Sequence, residues 1–135
     1  MFVDACAIVS ILSGEADAEA YGTALTNAAE AFTSPQAAWE AVIILARPEK
    51  FAIPFSTSLV LVSDWLAERD IALRHPAAPP FGILRLAVEA AEIHGVGKKH
   101  LSSLDCFHYA QAKAAKAAML TSDRLLRATD LKTLP

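Results

Sequence analysis

The sequence predicts a single α/β domain with a short, mainly parallel sheet flanked by helices. Short apolar segments alternate with longer helical segments along the chain, which is the order that produces parallel strands joined by helices. The composition leans towards helix, with 28 alanines and only five glycines. At 135 residues the chain is long enough for one domain that buries roughly two-thirds of its unfolded surface.

The first half of the chain contains well-marked starts and stops. Gly14 follows a helical pattern and can adopt the left-handed conformation that ends a helix. Ser34 and Pro35 form a helix start, and Pro48 stops that helix, whose stripe of Trp39, Val42, Ile43 and Ala46 is predicted to face a core. The predicted elements are a strand at 2–3, helices at 5–13 and 17–31, a strand at 32–33 and a helix from 34 to about 47.

The second half continues the alternation. Its elements are a helix at 54–69, a strand at 71–75, helices at 81–94 and 102–117, a strand at 118–121, a short helix or turn from 122 and a final edge strand at 131–134. In such folds ligands bind beyond the carboxyl ends of the strands. Asp4 and Asp123 both follow strands, so they are expected at that edge.

Several classes of protein are disfavoured by composition. No apolar run approaches the roughly 20 residues of a membrane span, and the N-terminus lacks the basic region of a secretory signal. Two cysteines do not make a disulfide framework, so a reducing cytoplasm is expected. Residues 1–84 carry a net charge of −6 and residues 85–135 carry +3. The basic C-terminal part could therefore attract a polyanion although the whole chain is acidic.

Four acids in apolar surroundings are the main candidates for chemistry: Asp4, Glu40, Asp105 and Asp123. A buried carboxylate is costly unless it is paired, hydrogen-bonded or bound to a metal. Each acid also has a structural explanation. Asp4 and Asp123 could cap the helices that follow them, and Glu40 could point to solvent.

Asp105 lies in a segment with the capping-box pattern, since Ser102 precedes it by three residues. A helix beginning there would place Tyr109 and Lys116 on the same side as Asp105, where they would offer a hydroxyl and a cation to a ligand. His108 is expected to be a partly buried surface histidine, although substrate contact is a second reading. A zinc site is disfavoured, because no cysteine or histidine pair has metal-binding spacing.

Four segments carry a family resemblance. They resemble, in order, the four motifs of PIN-domain proteins of the VapC toxin type, and they are 1–9, 33–41, 104–110 and 119–124. The first contains Asp4, the second Glu40, the third Asp105 and the fourth Thr121-Ser122-Asp123. The resemblance covers nearly the whole chain. It implies a PIN-like three-layer α/β/α fold for residues 1–135.

The resemblance also implies a function. It points to an endoribonuclease toxin that uses Mg²⁺ or Mn²⁺ to activate water and cleaves cellular RNA, such as transfer RNA or another structured RNA. It implies Asp4 and Asp105 as principal metal ligands, with Glu40 and Asp123 completing the site. A VapB-type antitoxin, a homodimer and a toxin–antitoxin hetero-oligomer are the expected assemblies.

Further residues are assigned secondary roles. The basic residues expected to steer RNA are Lys98, Lys99, Lys116 and Arg124, and the secondary site candidates are Ser34, Tyr109, Thr121 and Asp130. Cys6 stands where many family members have serine, next to Asp4. Segment 48–82 is less familiar and is a candidate clip for partner binding. The alternatives are a PIN-like nucleic-acid-binding protein that does not cleave and a phospho-receiver signalling module.

Overall fold

The computed structural model describes residues 1–134. Over that range the chain forms five strands and seven helices in alternating order. The strands are β1 (Phe2–Val3), β2 (Phe32–Thr33), β3 (Ala72–Leu73), β4 (Met119–Leu120) and β5 (Thr133–Leu134). The helices are α1 (Ala5–Ser13), α2 (Ala18–Thr26), α3 (Pro35–Ala46), α4 (Phe55–Glu68), α5 (Pro80–His94), α6 (Ser103–Ala114) and α7 (Arg124–Arg127).

The strands form one parallel sheet in the order β3-β2-β1-β4-β5. β1 lies at the centre, with Phe2 opposite Phe32 on one side and Met119 on the other. All four pairings are parallel, which confirms the prediction of a mainly parallel sheet, and β5 is an edge strand as expected. The carboxyl ends of β1, β2 and β4 therefore meet along one edge of the sheet.

Alternate strand residues point to opposite faces of the sheet and define two apolar cores. Val3 and Leu120 belong to the core formed with α1, α2, α3 and α4. Phe2 and Met119 belong to the core formed mainly with α5, α6 and α7. The chain is thus a three-layer α/β/α domain, in agreement with the predicted fold class.

Two predicted helices are shorter than expected at their C-terminal ends. α2 ends at Thr26, whose hydroxyl donates to the carbonyl of Gly22, rather than continuing to residue 31. α6 ends at Ala114 rather than at residue 117, and Lys116 has a φ of 51°, which the helix cannot continue. α1 ends as predicted, because Gly14 adopts a φ of 65°.

The predicted inward stripe of α3 is partly wrong. The face of α3 that enters the core is formed by Ala38, Ala41, Val42 and Leu45. Trp39 is 55% exposed. The small alanines allow close packing of α3 against its neighbours, and the bulky Trp39 is left on the flank that faces α4.

Candidate functional site

Asp4 lies directly after β1, at the carboxyl edge of the sheet, and its residue surface is only 3% exposed. Thr121, directly after β4, donates from Oγ1 to Asp4 Oδ2 at 2.7 Å, and Cys6 Sγ donates to the same oxygen at 3.1 Å. The Asp4 side chain makes no capping hydrogen bond to α1, so the role of helix cap does not explain it. Burial raises the pKa of the Asp4 carboxyl, against the lowering effects of His108 and of both hydrogen bonds.

Cys6 forms part of this hydrogen-bonded group. Its sulfur lies 3.2 Å from Thr121 Oγ1 and accepts from the backbone N–H of Ser122 at 3.4 Å. Burial, together with the charge of Asp4, raises the pKa of the Cys6 thiol to about 12. The thiol therefore stays protonated at neutral pH and can donate to Asp4.

Glu40 and His108 connect two helices beside Asp4. Glu40 is on α3 and His108 is on α6, and His108 Nε2 lies 2.8 Å from Glu40 Oε2 and 4.0 Å from Asp4 Oδ1. His108 is completely buried, so the expectation of a partly buried surface histidine is wrong. Glu40 does not simply point to solvent, because its carboxylate is engaged by His108.

The pKa of His108 is affected by burial and by three of the predicted acids. Burial alone would lower it, but the Glu40 hydrogen bond and the charges of Asp4, Glu40 and Asp105 outweigh burial, and the pKa is raised. Of these acids, Glu40 is hydrogen-bonded to His108 at 2.8 Å and Asp4 lies 4.0 Å from the same nitrogen. Sequence reasoning missed this role of His108, since its partner Glu40 is 68 residues away in the chain.

Asp105 has the capping role that the sequence allowed. Its Oδ2 accepts from the backbone N–H of Ser102 at 2.6 Å, and Ser102 Oγ accepts from the backbone N–H of Asp105 at 3.0 Å. These two bonds complete a capping box at the start of α6. The carboxylate is nevertheless close enough to act on His108 one turn further along the helix.

Asp123 is joined to this group through Thr121. Its Oδ1 accepts from the backbone N–H groups of Leu125 and Leu126 at 2.8 and 3.0 Å, which caps α7. Its own backbone N–H donates to Thr121 Oγ1 at 3.1 Å.

The secondary site candidate Asp130 has different partners. Its Oδ1 accepts from the Tyr109 hydroxyl at 2.8 Å, and its Oδ2 pairs with Lys113. The prediction that Tyr109 offers its hydroxyl to a ligand near Asp105 is therefore wrong, because that hydroxyl is bonded to Asp130. These contacts attach the segment before β5 to α6 and leave Asp123 as the acid that follows β4.

The remaining candidates fall into two groups. Ser34 is buried, and its hydroxyl accepts from the backbone N–H of Ala37 as the cap of α3. The four basic candidates are exposed, with Lys98 and Lys99 in the loop before α6 and Arg124 next to Asp123. Lys116 lies beyond the end of α6 at Ala114 and has a φ of 51°, so the helical spacing that would place it on the same side as Asp105 does not reach it.

The predicted acids are ligands of the type that a hard divalent cation prefers, but they do not form a complete metal-coordination site. Within residues 1–134, no three acidic, cysteine or histidine side chains are close enough together to hold a metal ion as they stand. Carboxylate oxygens are, however, the ligands that Mg²⁺ and Mn²⁺ prefer. Asp4 is also a buried carboxylate whose nearest basic nitrogen in the described chain is His108 Nε2 at 4.0 Å. A cation would offset the cost of burying it.

Comparison with known proteins identifies the class of protein to which this fold belongs. The PIN domain family model matches residues 1–132, so the chain belongs to the PIN domain family. Membership of the PIN domain family rules out the phospho-receiver alternative. A phospho-receiver would also need an aspartate after a mid-chain strand, whereas β3 is followed by Arg74. No curated protein sequence matches the chain.

A solved structure shares the whole fold. The chain is similar to a crystal structure of Mycobacterium tuberculosis VapC20, a toxin that cleaves the sarcin–ricin loop, with a TM-score of 0.69 and 14% sequence identity. The match covers 99% of this chain and 98% of that one. At this identity the likeness concerns the fold.

No helix in residues 1–134 is both long enough and apolar enough to cross a membrane.

Proposed function

We propose that this protein is a metal-dependent endoribonuclease and the toxin of a type II toxin–antitoxin pair. The observation that carries the proposal is the buried Asp4 carboxylate at the carboxyl edge of a PIN-domain sheet, next to the hydrogen-bonded pair of His108 and Glu40. The proposed reaction is hydrolysis of phosphodiester bonds in structured cellular RNA, such as transfer RNA. Its proposed place is the cytoplasm.

The acids have distinct proposed roles. Asp4 and Asp105 would be the principal ligands of Mg²⁺ or Mn²⁺, with Glu40 and Asp123 completing the site. When bound, the cation would supply positive charge to the phosphate oxygens and lower the pKa of water. Thr121 and Cys6 both donate to Asp4 Oδ2 and thereby fix the orientation of this carboxylate.

Of Asp4 and Glu40, the better placed to accept a proton from the attacking water is Glu40. Its side chain is 26% exposed, whereas that of Asp4 is 5% exposed, so bulk water reaches Glu40 more readily. His108 donates to one of its oxygens and leaves the other carboxylate oxygen without a partner in the described chain. A carboxylate with one fixed and one open oxygen suits general-base catalysis.

Exposed basic side chains would guide the RNA backbone towards the acids. Lys98 and Lys99 lie in the loop at the N-terminal end of α6, the end that carries Asp105, and Arg124 follows Asp123. Their position at the acidic edge supports phosphate contacts. Lys116 would contribute only to the overall electrostatic field, because it lies beyond the C-terminal end of α6.

An apolar groove supports the proposal of an antitoxin partner. The groove between α3 and α4 has a volume of about 440 Å³, and its lining includes Trp39, Phe55, Leu59 and Leu73. These four side chains are between 55% and 61% exposed. A VapB-type antitoxin could place the apolar face of a helix there, since such grooves suit amphipathic segments. The groove uses residues of segment 48–82, the proposed clip. A homodimer and a toxin–antitoxin hetero-oligomer remain part of the proposal.

RNA cleavage by the purified full chain tests the proposed function. We expect cleavage of structured RNA with Mg²⁺ or Mn²⁺, loss of cleavage with EDTA, and recovery when excess metal is restored, because the acids need a cation to act on phosphate. Cleavage that persists in EDTA would contradict the metal requirement. RNA binding without cleavage under any of these metals would favour the alternative of a PIN-like binding protein.

A further inference from the structure

Two side-chain hydrogen bonds connect α3 and α6, and we call this pair of contacts the α3–α6 seam. His108 Nε2 pairs with Glu40 Oε2 at 2.8 Å, and Gln111 Nε2 donates to Gln36 Oε1 at 3.0 Å. The partners lie one turn apart on each helix. His108 is 0% exposed and Gln111 is 3% exposed, so both contacts reach α3 from the interior. Only the first contact touches a predicted site residue.

The imidazole of His108 is held firmly. Its ring packs against the Phe2 ring, with centroids 6.1 Å apart and an interplanar angle of 38°. Its Nδ1 is buried and has no hydrogen-bond partner in the described chain. In the neutral ring, a hydrogen on Nδ1 would be an unsatisfied buried donor, so the hydrogen belongs on Nε2. Since the protonated ring also carries a hydrogen on Nε2, Glu40 receives a hydrogen bond in either state.

Glu40 depends on this contact for its orientation. It lies in the middle of α3, half-buried, and His108 is its hydrogen-bond partner within residues 1–134. The same Nε2 lies 4.0 Å from Asp4 Oδ1, so one atom lies close to both carboxylates. Without it, a mid-helix glutamate would sample several side-chain conformations.

We infer that His108 is a positioning residue for the proposed reaction: it donates from the core to Glu40 and holds this carboxylate beside Asp4, where both can serve one divalent cation. The inference rests on the proposed function. It assigns His108 no contact with substrate or reacting atoms. It depends on the hydrogen bond and on the rigid placement of the ring.

Three substitutions separate this role from a merely structural one. His108→Met removes the donor and keeps a buried apolar side chain of similar size. His108→Gln keeps an N–H donor near the position of Nε2. Gln111→Met is the matched control, because it removes the other hydrogen bond of the α3–α6 seam without touching an acid.

Mn²⁺ binding to the full chain without RNA is measured by electron paramagnetic resonance, with thermal unfolding recorded in parallel. We expect His108→Met to weaken Mn²⁺ binding by about 10-fold, as is typical for loss of a group that orients a ligand. The Mn²⁺ affinity of His108→Gln should stay within about 3-fold of the wild type, because this variant keeps a donor, and this loss is smaller than the about 10-fold loss expected for His108→Met. Gln111→Met should bind Mn²⁺ like the wild type even if its unfolding temperature falls.

Wild-type affinity in a folded His108→Met protein would overturn the inference. So would an equal loss in Gln111→Met, which would make the effect a property of helix packing, or a failure of His108→Gln to recover affinity. If His108→Met does not fold, His108→Asn replaces it, because its amide nitrogen occupies the position of Nδ1. Absence of Mn²⁺ binding by the wild type itself would overturn the proposed function, and this inference with it.

Discussion

At Asp4, burial and hydrogen bonding act on the same carboxylate in opposite directions. Burial disfavours the charged form and raises its pKa, while the hydrogen bonds from Thr121 and Cys6 stabilise the charge. Both donors reach Oδ2. Cys6 can serve as a donor because its thiol stays protonated.

Thr121 provides a test at this scale. Thr121→Val should lower the free energy of unfolding by about 1–3 kcal/mol, because a buried carboxylate oxygen loses a donor. It should also reduce metal-dependent RNA cleavage by about 10-fold, since Asp4 is then less well oriented. Chemical denaturation and initial cleavage rates measure the two effects.

Thr33→Val is the matched control. Thr33 is equally buried, and its hydroxyl donates to the carbonyl of Val3 at 2.7 Å, so this variant loses a similar hydrogen bond without affecting an acid. It should lose stability and keep its cleavage rate per folded molecule. Equal loss of cleavage in the two variants would refute a specific role for Thr121.

Among the elements, α6 contributes most to the site. Its first turn carries the capping box with Asp105, its second turn carries His108, and Gln111 follows one turn later. The same helix anchors the segment before β5 through Tyr109 and Lys113, which both contact Asp130. α6 thus positions Asp105 and His108 and also anchors the segment that leads to the edge strand β5.

The two roles of Asp105 can be separated by substitution. Asp105→Asn keeps an oxygen that can accept from Ser102 N–H, so most stability should remain, whereas cleavage should fall more than about 100-fold through loss of a ligand charge. Ser102→Ala should show the opposite pattern, with stability lowered by about 1 kcal/mol and cleavage retained. Thermal unfolding and cleavage assays on both variants check this. A large loss of cleavage in Ser102→Ala would mean that the cap, rather than the charge, controls activity.

Across the whole molecule, the parallel sheet explains how distant acids come together. β1 and β4 are neighbours, so Asp4 and Thr121 meet although 117 residues separate them in the chain. α3 and α6 then place Glu40 and His108 near Asp4. The basic residues of the C-terminal part, notably Lys98, Lys99 and Arg124, add a positive surface to an otherwise acidic chain.

Much of this arrangement was predictable from local sequence. The end of β1 at Val3, the Ser34–Pro35 helix start and the Gly14 stop follow rules that act over a few residues, and each was confirmed. The capping box at Asp105 was also readable from spacing alone. Order along the chain then placed Asp4 and Asp123 after strands.

What could not be predicted depends on packing between distant elements. The bond between His108 and Glu40 requires the relative position of α3 and α6, which no local pattern specifies. The same holds for the hydroxyl of Tyr109, which bonds to Asp130 rather than serving a ligand. Helical spacing placed Trp39 on an inward stripe, but close packing of the neighbouring alanines turned it outward.

The central claim is that Asp4 holds the cation on which RNA cleavage depends, and the comparison of Asp4→Asn with Asp64→Asn tests it most directly. Asp64 is exposed on α4 and serves as a matched control for the change of acid to amide. We predict that Asp4→Asn lowers Mg²⁺-dependent cleavage more than about 100-fold, since it removes a ligand. In EDTA it should unfold at an equal or higher temperature than the wild type, because burial disfavours the ionised Asp4 carboxyl. Asp64→Asn should match the wild type in both respects. Cleavage by Asp4→Asn at the wild-type rate would contradict the account.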